Sequence, residues 1–307
     1  MSTKINDPGF GAKYNRRTRR VINKDGSFNV ERIGADRGWR SLYLELISMS
    51  AGRFLAVVFL AFFLVNLLFA SLYFVLGVEN IQGAVPSRGM ENFLTCFLFS
   101  CQTFTTVGYG ALSPGSPAVG LVSSFEALGG LLTFALASGL LYGRFSRPKS
   151  RLLYSNNVLL SPFRDGKALM FRIANRRTNV LMDLEARVIL MLNDDPLAPH
   201  RRSYYQLELE VSKVHFLPLT WTIVHPITEQ SSLWGLTVDE LRHKSAELLI
   251  LITGFDDTFN QVVHSRHSYT FNELVENATF ELPYAVNDAG MITMDLQNIH
   301  SYKHTES

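Results

Sequence analysis

Two apolar stretches long enough to cross a membrane, with a third between them that is too short to cross, limit this chain more than any other feature. Residues 51–143 carry five charged side chains: Arg53, Glu79, Arg88, Glu91 and Glu126. The first long stretch runs from Phe54 to Leu76 and is interrupted only by Asn66, Ser71 and a scatter of aromatics. The second runs from about Pro117 to Tyr142, with Glu126 its one charge. About 20 apolar residues in a helix span the hydrocarbon core of a bilayer. One such segment would suit the core of a soluble protein; two, with basic clusters outside both, suit a membrane. The clusters are Arg16, Arg17, Arg19 and Arg20 before the first, and Arg144, Arg147, Lys149 and Arg151 after the second. Basic flanks stay cytoplasmic, so both termini are expected there and the link between the spans on the other side. The apolar half begins about fifty residues in, so no cleaved secretory leader is expected.

The link holds the short stretch, residues 90–104, "MENFLTCFLFSCQTF", followed by "TTVGYG" and the turn-rich "ALSPGSP". An apolar helix of this length reads as a re-entrant segment. The irregular backbone after it would then lie at membrane depth, where it is tolerated only if it lines water or is buried in protein. Two glycines one residue apart free that backbone to turn successive carbonyls toward one axis, where they can replace an ion's hydration shell. Cys96 and Cys101, five apart on the expected helix, are unsuited to a disulfide and read as small buried side chains.

Thr106-Val107-Gly108-Tyr109-Gly110 resembles the selectivity filter of potassium channels. A single loop cannot enclose an ion, so a ring of chains is needed, and the resemblance implies a homotetramer. It also implies K+ held by the backbone carbonyls of Thr106, Val107, Gly108 and Tyr109 and by the Thr106 hydroxyl, with Thr105 supporting the loop from behind.

Outside the apolar half the chain reads differently. Trp39, Leu42, Tyr43, Leu46 and Ile47 recur at i, i+3, i+4, i+7 and i+8, an apolar stripe with Asp36, Arg37, Arg40 and Glu45 off it. Directly ahead of a span, such a helix suits the membrane interface. After the second span, "KALMFRIANRR", "VLMDLEARVILML", "YYQLELEV", "LTWTIVHPI", "AELLILITGF" and "NQVVHSRHSYT" read as strands separated by turns such as "NDDPLAP". The expected result is an antiparallel, immunoglobulin-like β-sandwich. No G-x-G-x-x-G follows a strand, which argues against a nucleotide-binding regulatory domain.

"RIANRR" at 172–177, "LTWTIVHPI" at 219–227, "SSLWGLTVDEL" at 231–241, "VVHSRHSYTFNEL" at 262–274 and "GRFSRP" at 143–148 resemble inward-rectifier potassium channels, most closely the prokaryotic branch. The paired cysteines that flank the pore loop in animal members are absent, and "VENATF" stands where a "WGHRF"-like stretch is usual. The expected fold is membrane α plus all-β. An N-terminal cytoplasmic arm covers 1–35, an interfacial slide helix 36–50, the pore domain 51–147 and the cytoplasmic sandwich 148–307. Within the pore, spans fall at about 53–77 and 117–145, the pore helix at about 91–104 and the filter at 106–110. The expected location is the inner (plasma) membrane.

A carboxylate inside a span needs a partner, so Glu126 is expected to brace the pore loop from behind or to line water beneath it. Phe134, Ser138 and Tyr142 recur every fourth residue. Rings from four copies would make a hydrophobic gate, with Tyr142 first and Phe134 second. Phe134 also stands where strongly rectifying relatives carry an acid, so only weak block by Mg2+ or polyamines is expected. Arg144, Arg147, Lys149 and Arg151 are candidate ligands for anionic lipid. No cofactor is expected, no nucleophile and base are paired as an enzyme needs, and no nucleic-acid partner is indicated. Two rivals are a membrane-anchored sandwich that only binds a partner, and a non-selective cation pore; the first leaves "TVGYG" unexplained and the second sits badly with its intact glycines. His264 and His267, three apart in a strand, face opposite ways and do not make a metal site. Asn277-Ala278-Thr279 fits a glycosylation signal but falls in the expected cytoplasmic part.

Overall fold

The structure is a computed structural model that describes residues 3–11, 20–34, 38–145, 151–193 and 201–305. Its contacts separate two compact units, Gly34–Arg147 and a second formed by Met1–Ile33 with Pro148–Ser307. The chain opens with a strand of the second unit, β1 (Thr3–Ile5).

The first unit is helical: α1 (Trp39–Ser48), α2 (Ala51–Leu76), α3 (Met90–Phe104) and α4 (Pro117–Phe145). At 1.5 Å per residue α2 and α4 are each roughly 40 Å long, more than a bilayer core requires, whereas α3 reaches only about 22 Å. α2 carries one charged side chain, Arg53, and α4 two, Glu126 and Arg144. Short strands β2 (Ile81–Gln82) and β3 (Ser113–Pro114) pair antiparallel, and Gly115 N–H donates to Asn80 O. The chain between them therefore returns to the end of the helices from which it left. Tyr73, Val78, Ile81, Cys96, Phe99 and Val119 form one apolar cluster that seats α3 between α2 and α4. Both cysteines are free thiols. Ile47 of α1 is buried while Leu42 and Tyr43 are exposed, and Asp36 and Arg37 lie outside the described residues.

The second unit is a sandwich. One sheet runs β1–β8–β7–β11–β12, with β9 also on β7; the other runs β10–β6–β5–β13, with β4 also on β6. The first is built from β7 (Leu181–Leu192), β8 (Ser203–Leu207), β9 (Lys213–Phe216), β11 (Glu247–Asp256) and β12 (Gln261–Thr270) with β1. The second comprises β4 (Leu152–Tyr154), β5 (Val158–Phe163), β6 (Gly166–Asn175), β10 (Thr220–Ile227) and β13 (Leu274–Glu276). Alternation explains the layers: Leu184, Ala186, Val188 and Leu190 of β7 point inward, as do Leu169, Phe171 and Ile173 of β6, and all share one core. A short helix, α5 (Val238–His243), is closed by a Thr237/Glu240 capping box.

Three features differ from the expected antiparallel sandwich. β13 pairs parallel with β5. Two strands, β4 and β5, precede the segment expected to begin the series. The last residues add two small ladders, β14 (Ala278–Phe280) with β17 (Tyr302–His304) and β15 (Tyr284–Val286) with β16 (Ile292–Met294).

The N-terminal segment also belongs to this unit. β1 extends the first sheet on β8, and Val21 and Ile22 pack with Met191, Tyr204 and Leu249. Glu247 accepts the Val21 N–H on both carboxyl oxygens, at 2.9 and 3.0 Å. Arg20, one of the basic cluster ahead of the first span, bonds Ser268 O at 2.7 Å and pairs with Glu273 at 2.5 Å. The remaining arginines of that cluster lie outside the described residues.

Candidate ion-conduction site

The last carbonyls of a helix have no partner within it, and at the end of α3 the following chain supplies them. Thr105 N–H donates to Cys101 O, Thr106 N–H to Thr103 O at 3.0 Å, and Val107 and Gly108 N–H to Gln102 O at 3.0 and 3.4 Å. Four consecutive N–H groups thus face back toward α3. The Gln102 side chain reaches past them to Leu112 O at 3.0 Å, and Thr105 Oγ1 donates to Cys101 O at 2.7 Å.

The dihedrals show how this is done. Thr106, Gly108 and Gly110 have φ of 58°, 54° and 83°, while Val107 and Tyr109 stay outside the left-handed region. In an extended strand successive carbonyls point to alternate sides; alternating left- and right-handed residues send N–H groups one way and carbonyls the other. Glycine adopts φ > 0 at no steric cost. Thr106, β-branched, is held there against its preference, at about 1–3 kcal/mol. Its hydroxyl donates to Thr105 O at 2.7 Å, which leaves both lone pairs of the oxygen unused. The sequence pointed to Thr106 and the two glycines as one segment but not to the positive φ of Thr106, since nothing in a threonine announces a left-handed backbone.

Behind α3 lies Glu126, fully buried. Tyr73 Oη of α2 lies 2.5 Å from its Oε2, and Ser100 Oγ of α3 lies 2.5 Å from its Oε1. Ser100 Oγ also contacts Asn66 Oδ1 at 2.9 Å, and Asn66 Nδ2 donates to Phe62 O at 2.8 Å. The reach of Glu126 stops at α3. Neither oxygen bonds Thr106–Gly110, and the carboxyl is shut away from water rather than lining it. Sequence reading gave Glu126 no named partner; Asn66, a lone amide in an apolar helix, was the signal available.

A second support was not legible. A Cβ on Gly130 of α4 would lie 1.9 Å from Phe104 O and 2.8 Å from Phe104 C, so the absent side chain is what lets α4 touch the end of α3. Phe104 directly precedes Thr105. Below this contact is a cavity of about 450 Å³ lined by Thr105, Thr106, Phe134, Phe62, Val58 and Ala137. Phe134 thus shares one space with the base of the Thr106–Gly110 segment. Tyr142, two turns further along α4, is apart from it and exposed on the single chain.

Arg144 is occupied. Its guanidinium donates to Leu46 O and Met49 O, each at 2.7 Å, and stacks 4.8 Å from the Phe54 ring. It caps the end of α1 and fixes that helix to α4. Arg147 and Lys149 lie outside the described residues; Arg151, at the start of the second unit, is exposed. His264 is exposed, whereas His267 is buried with its ring stacked 4.3 Å from Tyr154. Among the described residues no three His, Cys, Asp or Glu side chains gather as a metal site would require.

Comparison with known proteins gives this geometry its context. A family model described as "Inward rectifier potassium channel C-terminal domain" matches residues 152–307, and one described as "Ion channel" matches residues 60–146. The inward rectifier potassium channel Kirbac3.1 of Paramagnetospirillum magnetotacticum is 33% identical over 94% of this chain and 98% of its own length. The chain belongs to the inward-rectifier potassium channels. This inward rectifier is a membrane protein and a channel, not an enzyme. Animal relatives are more distant: the ATP-sensitive inward rectifier potassium channel 12 of Mus musculus and that of Homo sapiens are each 26% identical over 95% of this chain, covering 74% and 73% of their own lengths.

Proposed function

We propose that four copies of this chain surround a pathway for K+ and that Thr106–Gly110 is its selective part. The carrying observation is the alternation of left-handed residues at 106, 108 and 110 with the N–H groups of 105–108 turned to α3. That arrangement leaves the carbonyls of Thr106, Val107, Gly108 and Tyr109 facing away from α3, toward the axis shared by the four copies. There they replace the hydration shell of K+, with the Thr106 hydroxyl oxygen at the inner end, and ions advance by mutual displacement.

Assembly follows from what one chain leaves bare. Val107, Tyr109, Leu131, Phe134 and Leu136 are exposed on the single chain, and neighbouring copies cover the α4 face. Phe134 and Tyr142 then bring rings from four copies together, a constriction that closes by dewetting. An aromatic ring at Phe134 offers cations only a weak cation–π contact, so Mg2+ and polyamines block weakly. Arg144 couples α1 to the inner end of α4, so movement of α1 along the membrane surface is transmitted to the gate. Arg147, Lys149 and Arg151, which follow α4 in the chain, draw anionic lipid. Both termini are cytoplasmic and the membrane is the plasma membrane.

The test is flux into liposomes holding the purified full-length channel. Uptake of K+ with little Na+, abolished by Gly108→Ala in an intact tetramer, is the expected result. Equal uptake of both ions would refute the reading.

A further inference from the structure

The hydrogen bonds around Glu126 leave one arrangement of protons. Asn66 Nδ2 faces Phe62 O at 2.8 Å, and a carbonyl oxygen only accepts. The flipped amide would set oxygen against oxygen at that distance, so Asn66 Oδ1 is the atom that faces Ser100 Oγ at 2.9 Å. Oδ1 also only accepts, so the single Ser100 proton goes to Asn66. The contact from Ser100 Oγ to Glu126 Oε1, at 2.5 Å, then needs a proton from the carboxyl. Tyr73 Oη donates to the other oxygen, Oε2, and every link has one hydrogen.

Bond length alone would also suit a carboxylate accepting from two hydroxyls. The third link decides, because an ionised Glu126 would leave Ser100 Oγ and Asn66 Oδ1 facing each other with no proton between them. Burial points the same way. Glu126 is fully buried, and its partners Tyr73 and Ser100 are neutral. The titratable groups around it are Tyr73 from α2, which bonds it, and Cys101, next to Ser100 on α3. A buried charge without a counter-ion is strongly disfavoured.

We infer that Glu126 is held as a neutral carboxylic acid, and that its proton is the donor tying α3 to α4. Tyr73, Ser100 and Asn66 are positioning residues that extend this bracket to α2. On ionisation at alkaline pH the Ser100 proton turns to Glu126, so the contact between α3 and α4 persists, while the Ser100–Asn66 link that ties α3, from whose end Thr106–Gly110 hangs, to α2 is lost. Acidification leaves the bracket intact.

Infrared spectroscopy of the full-length channel in lipid tests this without relying on flux. The parent is expected to show a protonated-carboxyl carbonyl band at neutral pH that is absent from Glu126→Gln. Its absence from the parent would overturn the inference. Asn66→Ala provides a second variant: with that acceptor gone, turning the Ser100 proton to the ionised carboxylate leaves no buried acceptor unpaired. The band should then titrate about one to two pH units lower than in the parent, the worth of one hydrogen bond to a charged group; an unmoved midpoint would count against the proton assignment. In the parent, preference for K+ over Na+ should fall across the range in which the band disappears. Preference that persists unchanged through that range would overturn the role of the proton in positioning α3.

Discussion

Replacing Gly130 by alanine sets two effects of opposite sign against each other. In a helix interior alanine is favoured over glycine by about 1 kcal/mol. Here the added Cβ would meet Phe104 O at 1.9 Å and Phe104 C at 2.8 Å. The obstacle is backbone at the end of α3, so no side-chain rotation relieves it. Reaching ordinary carbon contact requires a retreat of roughly 1.5 Å. Overpacking of this kind costs about 1–3 kcal/mol, and backbone against backbone belongs at the upper end. The expected balance is a loss of about 2 kcal/mol in stability, with the end of α3 pushed away from α4 and Thr105–Thr106 displaced with it. Gly129 is the internal control, because a Cβ there meets nothing within 4 Å. Gly129→Ala should be neutral or stabilising by up to about 1 kcal/mol. The assay is the thermal midpoint of the assembled channel beside its K+ to Na+ flux ratio. A Gly130→Ala channel as stable and selective as Gly129→Ala would refute the reasoning.

Gly108→Ala has open space around its Cβ but a φ of 54°, so the fold should survive and K+ preference in flux should be lost. Phe134→Asp should turn weak spermine block into steep block in current–voltage curves, and Tyr142→Ala should raise open probability in single-channel records. His267 is held neutral down to about 4 by burial beneath Tyr154, its ordinary value being 6.5. The unfolded chain therefore takes up this proton first as pH falls. Stability should be flat above about 6.5 and lose about 3 kcal/mol between there and about 4; urea unfolding followed by tryptophan fluorescence should show this slope in the parent and not in His267→Phe.

The elements with strong apolar patterning were legible. The long apolar runs gave α2 and α4, and the apolar runs "VLMDLEARVILML" and "AELLILITGF", bounded by turn signals, gave β7 and β11. What stayed hidden depends on contacts distant in sequence. β13 is three residues long and is fixed only by lying beside β5. β1 is placed by pairing with β8, about two hundred residues away. In the site, the unusual glycines announced a special backbone, but the left-handed Thr106 follows from carbonyls that the end of α3 leaves open. Glu126 was conspicuous as a charge in a span; its partners Tyr73 and Ser100 are common residues whose meeting only the packing of three helices reveals. Gly130 hid for the opposite reason, since a glycine pair in an apolar helix looks the same whether or not a backbone presses on it.

The most direct test of Thr106–Gly110 as a potassium filter is the reversal potential of the purified channel in a planar bilayer, with K+ on one side and Na+ at equal concentration on the other. The expected result is a reversal displaced far toward the K+ equilibrium potential, which collapses to near zero in Gly108→Ala. A reversal near zero in the parent channel would contradict it.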